Sequence, residues 1–75
     1  MREIADKAYE SMKQNIKKLN NVSMLYKDEV KEIRELYRKT DNLKNRMICL
    51  DEYKQQLAIF NLSVYINTQI EKLTA

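Results

Sequence analysis

Glycine, proline, tryptophan and histidine do not occur in this chain, and cysteine occurs once. Glycine and proline are the residues that punctuate helices and make tight hairpins easy, so a chain without either favours an all-helical fold over a sheet. With no histidine, a lone cysteine and no Gly-rich loop, there is no zinc cluster, Cys-His pair, His-based serine triad or phosphate cradle to assemble. An EF-hand pattern is absent as well. No enzyme activity, cofactor or metal is expected on these grounds. Cys49 has no partner for an internal disulfide, which points to a reducing compartment and to a small buried hydrophobe. Long apolar runs are also lacking: the densest is Met47, Ile48, Cys49 and Leu50. That excludes a membrane span, and the start Met1, Arg2, Glu3, Ile4 lacks the apolar core of a cleaved signal peptide. A cytoplasmic location is the expectation.

What the chain does contain is a long three-four rhythm. Tyr9, Met12, Ile16, Leu19, Ser23, Tyr26, Val30, Ile33, Tyr37 and Thr40 follow one another at gaps that alternate between three and four. Such spacing sets one side of a helix against a partner. At 75 residues the chain is one domain, 1–75, and its small size makes packing or association essential to stability. Charge is unevenly placed: residues 1–50 hold twelve Lys or Arg against eight Asp or Glu, and residues 51–75 hold two against three. A mild basic excess favours acidic partners only weakly.

Taken in order, residues 3–20 read as an amphipathic helix with Ile4, Ala5, Ala8, Tyr9, Met12, Ile16 and Leu19 on one face. Glu3 is placed to support Lys7, and Asn20, Asn21 and Ser23 offer caps at which the helix can break. Because the rhythm crosses Ser23 without losing phase, one continuous helix over about 3–40, bent near 20–23 at most, is expected. The stretch KDEVKEIRELYRK, residues 27–39, is the strongest helix signal, with Lys31 and Lys39 in reach of Glu35. A polar turn is expected over about 41–49, where Thr40, Asp41, Asn42 and Asn45 gather. Asp51 then caps a second helix over about 51–73. This helix has two apolar rows, one of Tyr53, Leu57, Phe60 and Val64, the other of Ile59, Leu62, Ile66, Ile70 and Leu73. Between Lys54 and Glu71 it has no charge. Two rows need cover on two sides, and a single antiparallel partner covers one. The expected architecture is an antiparallel helical hairpin, completed by a third arm, a partner chain or a second copy.

Three functional classes follow. Carboxylates at Asp28, Glu29, Glu32 and Glu35 resemble paired acids in spacing, but Lys31, Arg34, Arg38 and Lys39 beside them make surface pairing the default. Lys27, Lys31, Arg34, Arg38, Lys39, Lys44 and Arg46 could make a basic stripe toward the turn, but the acids interleaved through 28–35 dilute it and no recognition-helix arrangement is identifiable, so nucleic acid ranks as the least favoured partner. Five tyrosines at or beside apolar rows suit a protein interface better than base stacking. A protein-binding adaptor with a helical partner ranks first, and a self-associating bundle second.

A long first helix, a polar turn and a closing helix DEYKQQLAIFNLSVYINTQI resemble, over about residues 10–70, the small helical-hairpin co-chaperones of type III secretion. In that family the hairpin pairs with a larger helical-repeat chaperone, and together they keep the needle subunit soluble. The likeness is one of size and pattern. It implies that Tyr26, Ile33 and Tyr37, with Tyr53, Leu57, Phe60, Leu62, Val64, Ile66 and Ile70, supply the hairpin seam and the partner contact.

Overall fold

The computed structural model describes residues 2–46 and 52–75. Helix α1, Arg2–Asn15, runs into a 3-10 segment, Ile16–Asn21; helix α2 is Lys27–Arg46 and helix α3 is Glu52–Thr74. The described residues are all-α and contain no strand. They form a three-helix bundle instead of a two-helix hairpin.

The difference lies at residues 22–26, where the expected continuous helix breaks. The backbone first tightens: the Val22 N–H donates to the Leu19 carbonyl at 3.1 Å, closing the 3-10 segment. Ser23 Oγ donates to the Asn20 carbonyl at 3.3 Å, and the N–H groups of Leu25 and Tyr26 both donate to the Val22 carbonyl. The Ser23 hydroxyl and these backbone turns thus reverse the chain without glycine or proline. α2 then starts with Asp28 and Glu29 in its first turn, where the positive end of the helix dipole favours them.

Length explains why the break wins. A continuous helix over 3–40 would run about 57 Å at 1.5 Å per residue, against about 35 Å for α3. The surplus would have no apolar partner. Folding back places both halves of the first arm on α3 and confines the described chain to 40 × 19 × 14 Å. Side-chain pairs define the directions. Arg2 meets Glu52 and Asn15 Nδ2 donates to Asn67 Oδ1 at 3.0 Å, so α1 and α3 run parallel. Gln55 Nε2 donates to the Leu43 carbonyl at 2.8 Å, while Glu29, Glu32, Ile33 and Leu36 share a groove with Tyr65, Gln69 and Leu73, so α2 runs antiparallel to α3.

The three-four rhythm survives the break. Tyr9, Met12, Leu19, Val30, Ile33 and Thr40 are buried, Ile16, Ser23, Tyr26 and Tyr37 are half-buried, and none of the series is exposed. With Ala5, Ile59, Ile66 and Ile70, the apolar members of the buried set make the core. Ile4 departs from expectation: it is 55% exposed, and Ala5 takes the inward position. The expected polar turn over 41–49 departs too, because α2 continues through residues 41–46 and Thr40 returns its hydroxyl to the Leu36 carbonyl at 2.8 Å. The apolar run at 47–50, Cys49 included, and the cap at Asp51 lie outside the described residues. The expected helical pairs Glu3 with Lys7, Lys31 with Glu35 and Glu35 with Lys39 do not close, whereas Arg2 pairs with Glu52 and Lys44 with Asp6.

Tyr9 ties α1 to α2. Its hydroxyl donates to the Asp41 carboxylate, and its ring has Lys13 Nζ at 5.5 Å and Lys44 Nζ at 5.6 Å from the centroid. Burial, then the hydrogen bond to Asp41 and that carboxylate's charge, push the phenol well above its ordinary pKa. The folded state therefore keeps this proton when the unfolded chain, with a tyrosine pKa of about 10, has begun to lose it. Stability from this group is fully present below about pH 10 and falls as pH rises beyond it. Tyr9→Phe is expected to lower unfolding free energy by about 1–3 kcal/mol near neutrality and to flatten its decline above about pH 10. Urea titrations of both proteins at two pH values measure this, and an equal alkaline decline in the two would exclude the Tyr9 origin.

Among the described residues, two buried polar atoms have no hydrogen-bond partner, Ser63 Oγ and Gln56 Oε1. An unpaired buried hydroxyl costs about 1–3 kcal/mol. Ser63→Ala is expected to be neutral or stabilising, whereas Ile66→Ala three residues on costs about 2–5 kcal/mol through the cavity it leaves. Denaturant midpoints of the two variants should move in opposite directions or differ by at least that contrast.

Candidate protein-binding face

Helix α3 carries its two apolar rows to different fates. In the second row Ile59, Ile66 and Ile70 are buried in the core, and Leu62 and Leu73 are half-buried. These residues face the two flanking helices: Gln55 reaches α2, Asn67 reaches α1, and Ser63 lies fully buried between those directions. The first row lies roughly opposite on a wheel of 3.6 residues per turn. There Tyr53 is 62% exposed, Leu57 37% and Val64 42%, with Phe60 half-buried at its edge. The intervening residues add Asn61 and Thr68, both exposed and uncharged. Tyr65, expected to fill space between the rows, is instead 52% exposed on the side toward α2.

α1 borders this face. Asn15 shares a stripe with Ile4, Ala8 and Ser11, at spacings of four, three and four, and Asn67 shares one with Phe60 and Gln56. The hydrogen bond between Asn15 and Asn67, together with the parallel run of the two helices, sets the exposed Ile4 on the side of α1 that borders α3 near its start. Tyr53, Leu57, Phe60 and Val64 form one apolar strip along the α1 side of α3. Tyr53 to Val64 spans about 16 Å of helix.

Of the residues proposed from sequence, Ile33, Ile66 and Ile70 are buried within the bundle and have no surface to offer a partner. Their apolar area is taken up by the third arm that folds back inside the same chain. Tyr26, Tyr37 and Phe60 pack half-buried against the core, and Leu62 is half-buried too. Tyr53, Leu57 and Val64 are the members presented outward. Ile4 was assigned to the buried face by periodicity, and it is exposed instead. Met24 and Leu25, 85% and 75% exposed at the reversal, form a separate apolar tip.

The strip holds no cluster of titratable side chains. Among the described residues no group of three or more His, Cys, Asp or Glu is arranged to hold a metal ion, and no helix is long and apolar enough to cross a membrane. Comparison with protein-family models, with curated proteins and with solved structures finds no match to this chain.

Proposed function

We propose that the chain is a protein-binding adaptor whose strip on α3 receives a helix of another protein. One observation carries this reading: a helix with no charge between Lys54 and Glu71 turns Tyr53, Leu57 and Val64 outward although two other helices of the same chain already pack on it. Solvent-facing helix surfaces ordinarily carry charge, and an apolar row at spacings of four, three and four is the geometry a second helix interlocks with. Its aromatic members, Tyr53 and Phe60, are of the kind enriched at protein interfaces. Covering the strip removes apolar surface from water at about 25 cal/mol per Å², and this favours a bound over a free state.

The resemblance to the small co-chaperones of type III secretion supplies a sharper version. In it the partner is a helical-repeat chaperone, the complex keeps an aggregation-prone client soluble, and the work is done in the cytoplasm. The fold-back of the first arm then leaves α3, and not a hairpin seam over Tyr26, Ile33 and Tyr37, as the contact surface.

Placing charge on the strip tests the reading. Leu57→Glu combined with Val64→Glu alters exposed side chains and is expected to change folding stability by no more than about 1 kcal/mol. The wild-type chain recovered from its native lysate is expected to carry a stoichiometric second protein, giving one defined mass by light scattering, and the double variant should lose it. A wild-type chain that forms a concentration-independent homo-oligomer and retains nothing would replace the adaptor with a self-associating bundle.

A further inference from the structure

Helix α2 bears a second surface that linear order conceals. Along the sequence Lys27, Lys31, Arg34 and Arg38 alternate with Asp28, Glu29, Glu32 and Glu35, which suggests mutual neutralisation. On a helix the four cations fall at spacings of four, three and four, so they share one stripe. Asp28, Glu32 and Glu35 fall on a neighbouring stripe, turned about 100° away, with Glu29 further round. The basic stripe rises about 16 Å from Lys27 to Arg38.

The stripe lines a shallow groove of about 450 Å³ with Ser23 at its start and Glu35 as its carboxylate. None of the four cations is in an ion pair, although Arg2 and Lys44 elsewhere in the bundle are. Arg34 is held in place from outside its own helix, since its Nη2 donates to Asn20 Oδ1 at 2.9 Å across the reversal. That contact leaves the remaining guanidinium donors for a ligand. No aromatic side chain lines the groove among the described residues, so it has no platform on which unpaired bases would stack. It offers a line of positive charge, with spacings of about 6, 4.5 and 6 Å along the axis.

We propose that this stripe binds the phosphate backbone of duplex DNA without reading its sequence. A row of Lys and Arg is the means by which proteins displace condensed counterions from a duplex, and contacts of this kind position a protein without specifying bases. The surface is separate from the apolar strip on α3, so one chain can hold a protein and a polyanion together. Loss of either activity leaves the other testable.

Counterion release sets the test. Four phosphate contacts give a slope of log affinity against log salt of about −3.6, or roughly a hundredfold loss between about 50 and 200 mM salt. The probe is a fluorescent random-sequence duplex of roughly 20 base pairs, followed by anisotropy with the full chain. Lys31→Gln or Arg34→Gln alone should make the slope shallower by about one, and Lys31→Gln, Arg34→Gln and Arg38→Gln together should abolish binding. Lys7→Gln with Lys72→Gln, two exposed cations off the stripe, should leave the slope unchanged, with helical circular dichroism showing that every variant folds. Parallel arms use single-stranded DNA and vesicles containing phosphatidylserine, because exposed Met24 and Leu25 stand beside the stripe. Absence of duplex binding at about 50 mM salt, an unchanged slope in the triple variant, or tighter binding to single strands or vesicles would each overturn the proposal.

Discussion

Helix α3 has more apolar circumference than one neighbouring helix covers, and the arrangement of the rest of the chain answers to that. Its charges stand at its ends, and between Lys54 and Glu71 only uncharged polar side chains, such as the exposed Asn61 and Thr68, interrupt the apolar rows. Two helices pack on it, α1 in parallel and α2 antiparallel, and together they bury Ile59, Ser63, Ile66 and Ile70. The two flanking helices lie mainly on α3 and reach each other through Tyr9 with Asp41 and Asp6 with Lys44. Because they approach α3 from one half of its circumference, the opposite half stays uncovered. The core and the candidate binding strip therefore have one cause.

The positions that face inward were legible because burial follows phase, and phase is a local property. Every residue from Tyr9 to Thr40 in the three-four series is at least half-buried, on both sides of the reversal. The reversal itself was legible only as a choice. Asn20, Asn21 and Ser23 have the side chains that end helices, but whether they do so depends on how much apolar surface lies opposite, which is a property of α3. The same limit misplaced the end of α2. Thr40, Asp41, Asn42 and Asn45 have turn chemistry, yet in place they extend the helix, with Thr40 bonded back to Leu36 and Asp41 engaged by Tyr9.

The candidate site was half legible for a related reason. Both apolar rows of α3 could be read from spacing, but which row is used internally is decided by the side from which α1 and α2 arrive. Ile33, Ile66 and Ile70 could not be told from Leu57 and Val64 by composition or period. Ile4 was placed inward on one face with Ala5, Ala8 and Tyr9, and a shift of one position turns a helical side chain by about 100°. The basic stripe on α2 shows the reverse error. Counting charges along the chain averages over a geometry that separates them, and a helical wheel of the same residues restores the separation.

The order of the helices along the chain has a consequence for how the protein comes into being. During synthesis α1 and α2 emerge before α3, the helix on which both of them rest. The polar ties at Tyr9 and Lys44 join the first two arms, but the apolar area that stabilises either one arrives last. A nascent chain up to residue 51 therefore displays the inward faces of two amphipathic helices with little to bury them. Burial of either arm thus depends on the final third of the sequence, on which both of them pack.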